Sequence, residues 1–239
     1  MNIKISFPIL LFLIIVFSAF NKQNSSNNVM IIGQMKDVMW KGKLQGNINL
    51  DTISDKEGLY GIGPVEYLSG EILIFNGKSY KSTVLSDTTM QVEETFTIKA
   101  PFFAYSNITK WEKVILPDSV ITINDLEKYI NNTTKELHRP FMFKISAVID
   151  EAMIHIVNLA EGAKVSSPKE AHEGMIDYIL NNEEVDIVGF FSTEHQSIFT
   201  HHDTYLHMHL ITKDRKKMGH LDDVRFKKGE LILYLPQYN

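Results

Sequence analysis

Cysteine is absent from this 239-residue chain. That excludes disulfides, thiolate metal sites, a catalytic thiol and a lipid-modified N-terminal cysteine. An excess of positive charge is also missing. Lys and Arg total 24 against 29 Asp and Glu, a net charge of −5 at pH 7, and no basic stripe appears. Nucleic acid is therefore not an expected partner. The sequence has no phosphate-binding glycine loop, no dinucleotide fingerprint and no Gly-x-Ser-x-Gly elbow. Internal repeats and low-complexity linkers are absent too. Hydrophobic residues at 44% and charged residues at 22% are those of an ordinary globular protein, long enough for one large domain or two small ones.

Long apolar runs are scarce. The exception is Ile5 to Phe20, which follows Lys4 and precedes the polar run from Asn21 to Asn28. A charged start, a short apolar core and a polar exit describe a secretory signal. The run is short for a span of about 20 residues. Ser18-Ala19-Phe20 places a large residue where cleavage prefers a small one, so an uncleaved anchor is the alternative. Either reading predicts an exported protein, periplasmic or extracellular, with membrane contact only if residues 5–20 stay attached. Residues 1–28 are set apart as leader and spacer. Residues 29–239 are expected to form one β-rich unit or two intimate sub-domains.

In that unit most apolar runs have strand length. Residues 72–75, 95–98, 102–105, 141–148, 155–157, 186–191 and 231–235 read as strands. Asn76-Gly77 is a strong hairpin turn, with Lys78 to Tyr80 returning. Gly58 to Pro64 is glycine-rich and reads as a loop. Residues 29–32 and 35–40 predict a first strand or a short helix. Helices are fewer: Ile123 to Leu137 follows Thr122, with Asn124 and Asp125 as caps, and carries Leu126, Tyr129 and Ile130 at i, i+3, i+4. Ser167-Pro168-Lys169-Glu170 opens a second. The fold class is α+β and β-rich, with a mixed β-sheet plus a barrel-like sheet.

The chemistry concentrates near the C-terminus, in Tyr205-Leu206-His207-Met208-His209-Leu210-Ile211 and Met218-Gly219-His220-Leu221. Residues two apart on a strand share a face, so His207 and His209 project the same way, roughly 6–7 Å apart. Leu206, Met208 and Leu210 take the other face, which suits a core. The charged run from Thr212 to Gly219 reads as a hairpin connection that returns His220 beside His209. Three converging imidazoles with a fourth position open is how catalytic zinc is often held. The alternative is a histidine-rich edge strand without metal. His201-His202-Asp203 and Glu194-His195 read as polar loops, although the first could supply further ligands. His155 and His172, isolated in sequence, read as core or surface residues.

These residues also resemble the signatures of the α-acetolactate decarboxylases. Tyr205-x-His207-x-His209, Asp214-Arg215 and Gly219-His220 are similar to that family's C-terminal signature, with Gly189-Phe190 upstream. Gly63 through Leu68-Ser69-Gly70-Glu71, followed by Asn76-Gly77-Lys78-Ser79-Tyr80, resembles its N-terminal signature. Pro140 to Ile145 resembles its central strand. The motifs stand in the family's order from about Gly58 to Leu221.

The resemblance implies zinc held by His207, His209 and His220, and conversion of a small keto acid, 2-acetolactate, to acetoin and carbon dioxide. It assigns proton handling to Glu71. Lys144 stands nearest the arginine that meets the substrate carboxylate in the family, with Arg139 as a nearby substitute. A glutamate that the family carries in a C-terminal tail has no counterpart, since the last acid is Glu230. A divergent zinc- or ligand-binding member and a metal-dependent hydrolase are the alternative functions. A homodimer is one arrangement the sequence allows.

Overall fold

The computed structural model describes residues 29–196, 198–200 and 204–237. In chain order the elements are β1 (Met30–Ile32), α1 (Met35–Lys41), β2 (Ile48–Asn49), β3 (Leu59–Pro64), β4 (Glu71–Phe75), β5 (Lys78–Ser86), β6 (Thr89–Glu94), β7 (Lys99–Ala100) and β8 (Phe103–Asn107). There follow β9 (Trp111–Ile115), α2 (Ile123–Thr133), β10 (Phe141–Ile156), α3 (Pro168–Ala171), β11 (Ile176–Phe191), β12 (Leu206–Thr212) and β13 (Met218–Pro236). The expected leader lies outside the described residues. No helix among those residues is long and apolar enough to cross a membrane.

The chain is β-rich, as expected. One sheet has the order β1-β8-β3-β4-β5-β6. A second runs β10-β11-β12-β13-β9, and β10 also pairs with β13, so four strands close on themselves. A small β2-β7 sheet completes the set. The strands are not mixed in direction: every ladder between them is antiparallel. Hairpin connections account for much of this. At Asn76-Gly77 both residues have positive φ, 49° and 80°, the primed turn that matches strand twist.

Three apolar clusters layer the molecule. Leu206, Met208 and Leu210 point into the closed sheet, where they meet Phe141, Phe143 and Ile145, with Leu126 and Ile130 of α2. Thr122 caps α2 in a reciprocal capping box with Asp125. The helix ends at Thr133, short of the expected Leu137. A second cluster fills the space between the two large sheets, with Tyr60, Ile62 and Leu73 from one and Met142, Val188, Phe190 and Ile211 from the other. Ile72, Ile74 and Phe103 back the first sheet in a third cluster.

Some local expectations are corrected. Gly58 to Pro64 is strand β3 rather than a loop, because bare Gly61 lets the Phe103 ring lie against it; a Cβ there would sit 2.7 Å from the ring. Residues 95–98 carry no strand, and the ladder starts at Lys99. The runs at 141–148 and 155–157 join into one 16-residue strand. The run 186–191 is the end of another 16-residue strand, β11. Its Gly189 shows how tightly the closed sheet is filled. A Cβ there would lie 2.1–2.6 Å from ring atoms of Phe143, which is fully buried. Gly189→Ala should therefore cost about 3 kcal/mol by overpacking. The readout is a lower urea midpoint at unchanged m-value; an unmoved midpoint would show that the ring can give way.

Candidate metal centre

Strand β12 places His207 and His209 on one face, and the turn from Thr212 to Lys217 returns the chain so that His220 pairs directly with His209. All three imidazoles are buried. Their ligand atoms lie within 4.8 Å of one another. His207 Nε2 and His209 Nε2 are 3.2 Å apart, close to the roughly 3.3 Å expected of two nitrogens on one tetrahedral zinc with bonds of about 2.0–2.1 Å.

The tautomers fit a metal as well. His207 Nδ1 donates to the Phe199 carbonyl at 2.8 Å, which leaves Nε2 as the nitrogen that would ligate a metal. An outer-shell carbonyl fixing a ligating imidazole in this way is usual at metal sites. Burial, and then the neighbouring His155, push the His209 pKa down to about 3, so this ring is neutral and needs no deprotonation to ligate. Its Nδ1 is buried without a hydrogen bond of good geometry, although the Ile72 backbone lies near enough to favour its proton. The three-histidine group is thus a donor set able to hold zinc.

Glu71, at the start of β4, comes to the same place from the other sheet. Ile72 and Ile74 face outward into the third cluster, so Glu71 and Leu73 face inward. The carboxylate is 3% exposed. Its Oε2 lies 3.6 Å from His209 Nε2 and its Oε1 4.0 Å from His155 Nε2; the Val157 N–H donates to Oε1 at 3.4 Å. Burial pushes the Glu71 pKa up to about 8, eased by His155 and the Val157 amide.

His155, isolated in sequence, joins this group rather than serving only as a core or surface residue. It pairs with His220 across β10 and β13 and stacks on it, with ring centroids 4.6 Å apart. Its Nδ1 is 2.7 Å from Asp222. Burial opposes its charge, but Asp222 and Glu71 together raise its pKa. His155, His220 and Asp222 form a second group with ligand atoms in reach of one another. His172 flanks His155 at 6.2 Å between ring centroids. A signal for His155 does exist in the sequence. On β10 the residues buried in the closed sheet are 141, 143, 145, 147 and 149, then 152, 154 and 156. The alternation slips by one near Asp150-Glu151, which turns His155 onto the histidine face.

Among the described residues, cavities of two sizes reach the histidines. One, about 30 Å³, is lined by Glu71, His155, His172, His207, His220 and apolar neighbours including Leu68. The other is a cleft of about 420 Å³ that touches His207, His220, Asp222 and the N-terminus of α2.

The remaining sequence candidates lie elsewhere. Lys144 shares the histidine face but stands two strands from His209, with Val188 between, roughly 10 Å at the usual spacing. It lines a separate pocket with Tyr60, Phe75 and Trp111. Arg139 reaches Thr193 and Asn131 and lies over Phe191. Glu230 is exposed beside Lys227. His195 bonds Ser192 at a loop, as expected. His201-His202-Asp203 fall outside the described residues.

A family model described as Alpha-acetolactate decarboxylase matches residues 32–235. The solved alpha-acetolactate decarboxylase from Bacillus subtilis strain 168 is 23% identical, covers 87% of this chain and 85% of its own, and superposes with a TM-score of 0.71. A Staphylococcus aureus protein of unknown function, similar to alpha-acetolactate decarboxylase, is 17% identical, covers 88% and 85%, and also gives 0.71. No curated protein matches the chain. At these identities the solved structures speak for a shared fold.

Proposed function

This chain belongs to the α-acetolactate decarboxylase family, and from that premise we propose that it is an exported, zinc-dependent carboxy-lyase acting on 2-acetolactate or a related 2-hydroxy-3-keto acid. The bond from C2 to the carboxylate breaks, and carbon dioxide leaves. The electron pair passes to the C3 ketone oxygen, and a proton then adds at C2 to give acetoin. One proton is consumed in each turnover.

His207, His209 and His220 are the residues that would hold zinc. Zinc there would supply Lewis-acid stabilisation of the charge gathering on the ketone and hydroxyl oxygens, and would orient them. Glu71 holds the proton. The observation that carries this reading is a carboxyl group only 3% exposed and 3.6 Å from His209, whose pKa burial raises in the metal-free chain. An acid so placed can protonate carbon from one face. His155 and Asp222 lead from Glu71 to the cleft and can return the proton that each turnover removes.

A second reading has one observation in its favour. Neither cavity that reaches the histidines is lined by a lysine or arginine among the described residues, so a substrate carboxylate meets no fixed cation there. A divergent family member that binds zinc or another ligand, with altered or lost chemistry, would suit that surface. Turnover of racemic 2-acetolactate in D2O separates the two. The proposal expects acetoin of one handedness with one deuterium at the carbon that lost carbon dioxide. No acetoin, or racemic acetoin, would count against it.

His155 gives a narrower test. His155→Gln should lower kcat by about tenfold or more through slower proton return, with KM and zinc content close to wild type. An unchanged kcat would make His155 a packing residue.

A further inference from the structure

Among the described residues, the ammonium group of Lys144 has aromatic walls and no carboxylate partner. Its Nζ lies 4.8 Å from the ring centroid of Trp111, 4.9 Å from Tyr234, 5.3 Å from Tyr60 and 5.6 Å from Phe75. It donates a hydrogen bond to the Tyr60 hydroxyl, at 3.2 Å. Among the described residues no carboxylate oxygen comes within 4.0 Å of it. Asp186, which acts on it from farther away, is already held by Lys213 at 2.6 Å and Arg215 at 2.9 Å, and accepts from Ser146 at 3.0 Å. Arg215 in turn lies over the Phe75 and Tyr80 rings, 5.3 and 5.7 Å from their centroids. Asp186 is thus already paired with two closer cations, and Lys144 is left without a direct ion pair among the described residues.

This group of side chains opens onto a pocket of about 260 Å³. None of its lining residues lines either cavity that reaches the histidines. At about 30 Å³ per water in the liquid, the volume takes a small organic molecule. Aromatic faces attract cations, so this cage carries its own cation, and among the described residues no carboxylate pairs directly with it. A carboxylate would pair with Lys144 in a partly desolvated setting, where such pairing is stronger than in water. The flat walls suit an apolar or aromatic body behind it. Glu57 at the pocket lining disfavours a second negative charge.

We propose that the pocket framed by Lys144, Tyr60, Phe75 and Trp111 is a second ligand site, separate from the histidine centre, and that it takes a small monocarboxylate with an apolar or aromatic body. The inference does not depend on the decarboxylase reading or on metal.

Trp111 supplies the readout. The chain has two tryptophans, and the other, Trp40, is exposed on α1. In the full chain carrying Trp40→Phe, fluorescence is titrated with benzoate and with benzamide, its uncharged counterpart. The expected result is saturable binding of benzoate in about the millimolar range or tighter, at least tenfold weaker for benzamide. Lys144→Met should weaken benzoate at least tenfold, and Lys144→Arg should retain it. His209→Ala, which alters only the histidine centre, should leave it unchanged. Equal binding of the two probes, no saturable response, or benzoate binding lost with His209→Ala would each overturn the proposal. If Lys144→Met fails to fold, Lys144→Arg and the benzamide comparison still decide it.

Discussion

Glu71→Gln is expected to lower kcat for acetoin formation by about 10²–10⁴-fold, the usual contribution of a positioned acid, while zinc content stays at the wild-type value. Glutamine keeps the shape of the side chain, and its carbonyl can still accept from the Val157 amide. It loses only the proton that carbon must receive. The same variant makes a second, opposite-looking prediction for stability. In zinc-free protein the folded-state pKa of Glu71 is raised from 4.5 to about 8 by burial. The folded state therefore keeps a proton that the unfolded chain releases, and stability falls as pH rises from about 4.5 to 8. Below that window both states are neutral at this residue, and the effect vanishes. Zinc-free Glu71→Gln should match wild type near pH 4 and exceed it above pH 8, by on the order of 5 kcal/mol for a shift of this size. Urea unfolding of chelated protein at the two pH values checks this. Equal midpoints at both would mean that Glu71 is not held protonated.

The second large effect is loss of metal. His209→Ala should drop bound zinc from one per chain to near zero, and acetoin formation with it. In wild type, zinc should raise stability by about 2.7 kcal/mol at a hundredfold excess over Kd, and the variant should show no such gain. Without zinc the two proteins should differ much less. Alanine leaves a cavity, but it also removes a buried Nδ1 that has no good hydrogen bond. Elemental analysis after gel filtration, with melting curves in the presence and absence of zinc, reads both arms. A variant that keeps its zinc would remove the three-histidine assignment.

What the sequence made legible is what one strand or one hairpin decides. Alternation along β12 separates Leu206, Met208 and Leu210 from His207 and His209, and the charged turn after Thr212 returns His220 to its partner. Glu71 is legible only through the ordered motif around it, since the face of β4 it takes depends on which sheet lies above. Register between distant strands was not legible. His155 reaches His220 because β10 pairs with β13 across an alternation slip, and a side chain two-thirds of the way along the chain gives no hint of that partner. Lys144 shows the same limit from the other side. Its position beside the central-strand motif suggested the active centre, but Val188 stands between it and His209, and its side chain turns to Tyr60. Gly58 to Pro64 looked like a loop because glycines weaken strands; the aromatic ring of Phe103 covering Gly61 reverses that preference.

The most direct measurement is zinc titration of chelated protein with 2-acetolactate as substrate and acetoin as the product followed. The account predicts no acetoin from the zinc-free chain and a rate that rises linearly and levels at one zinc per chain. A folded protein that binds one zinc at the three histidines and forms no acetoin would contradict it.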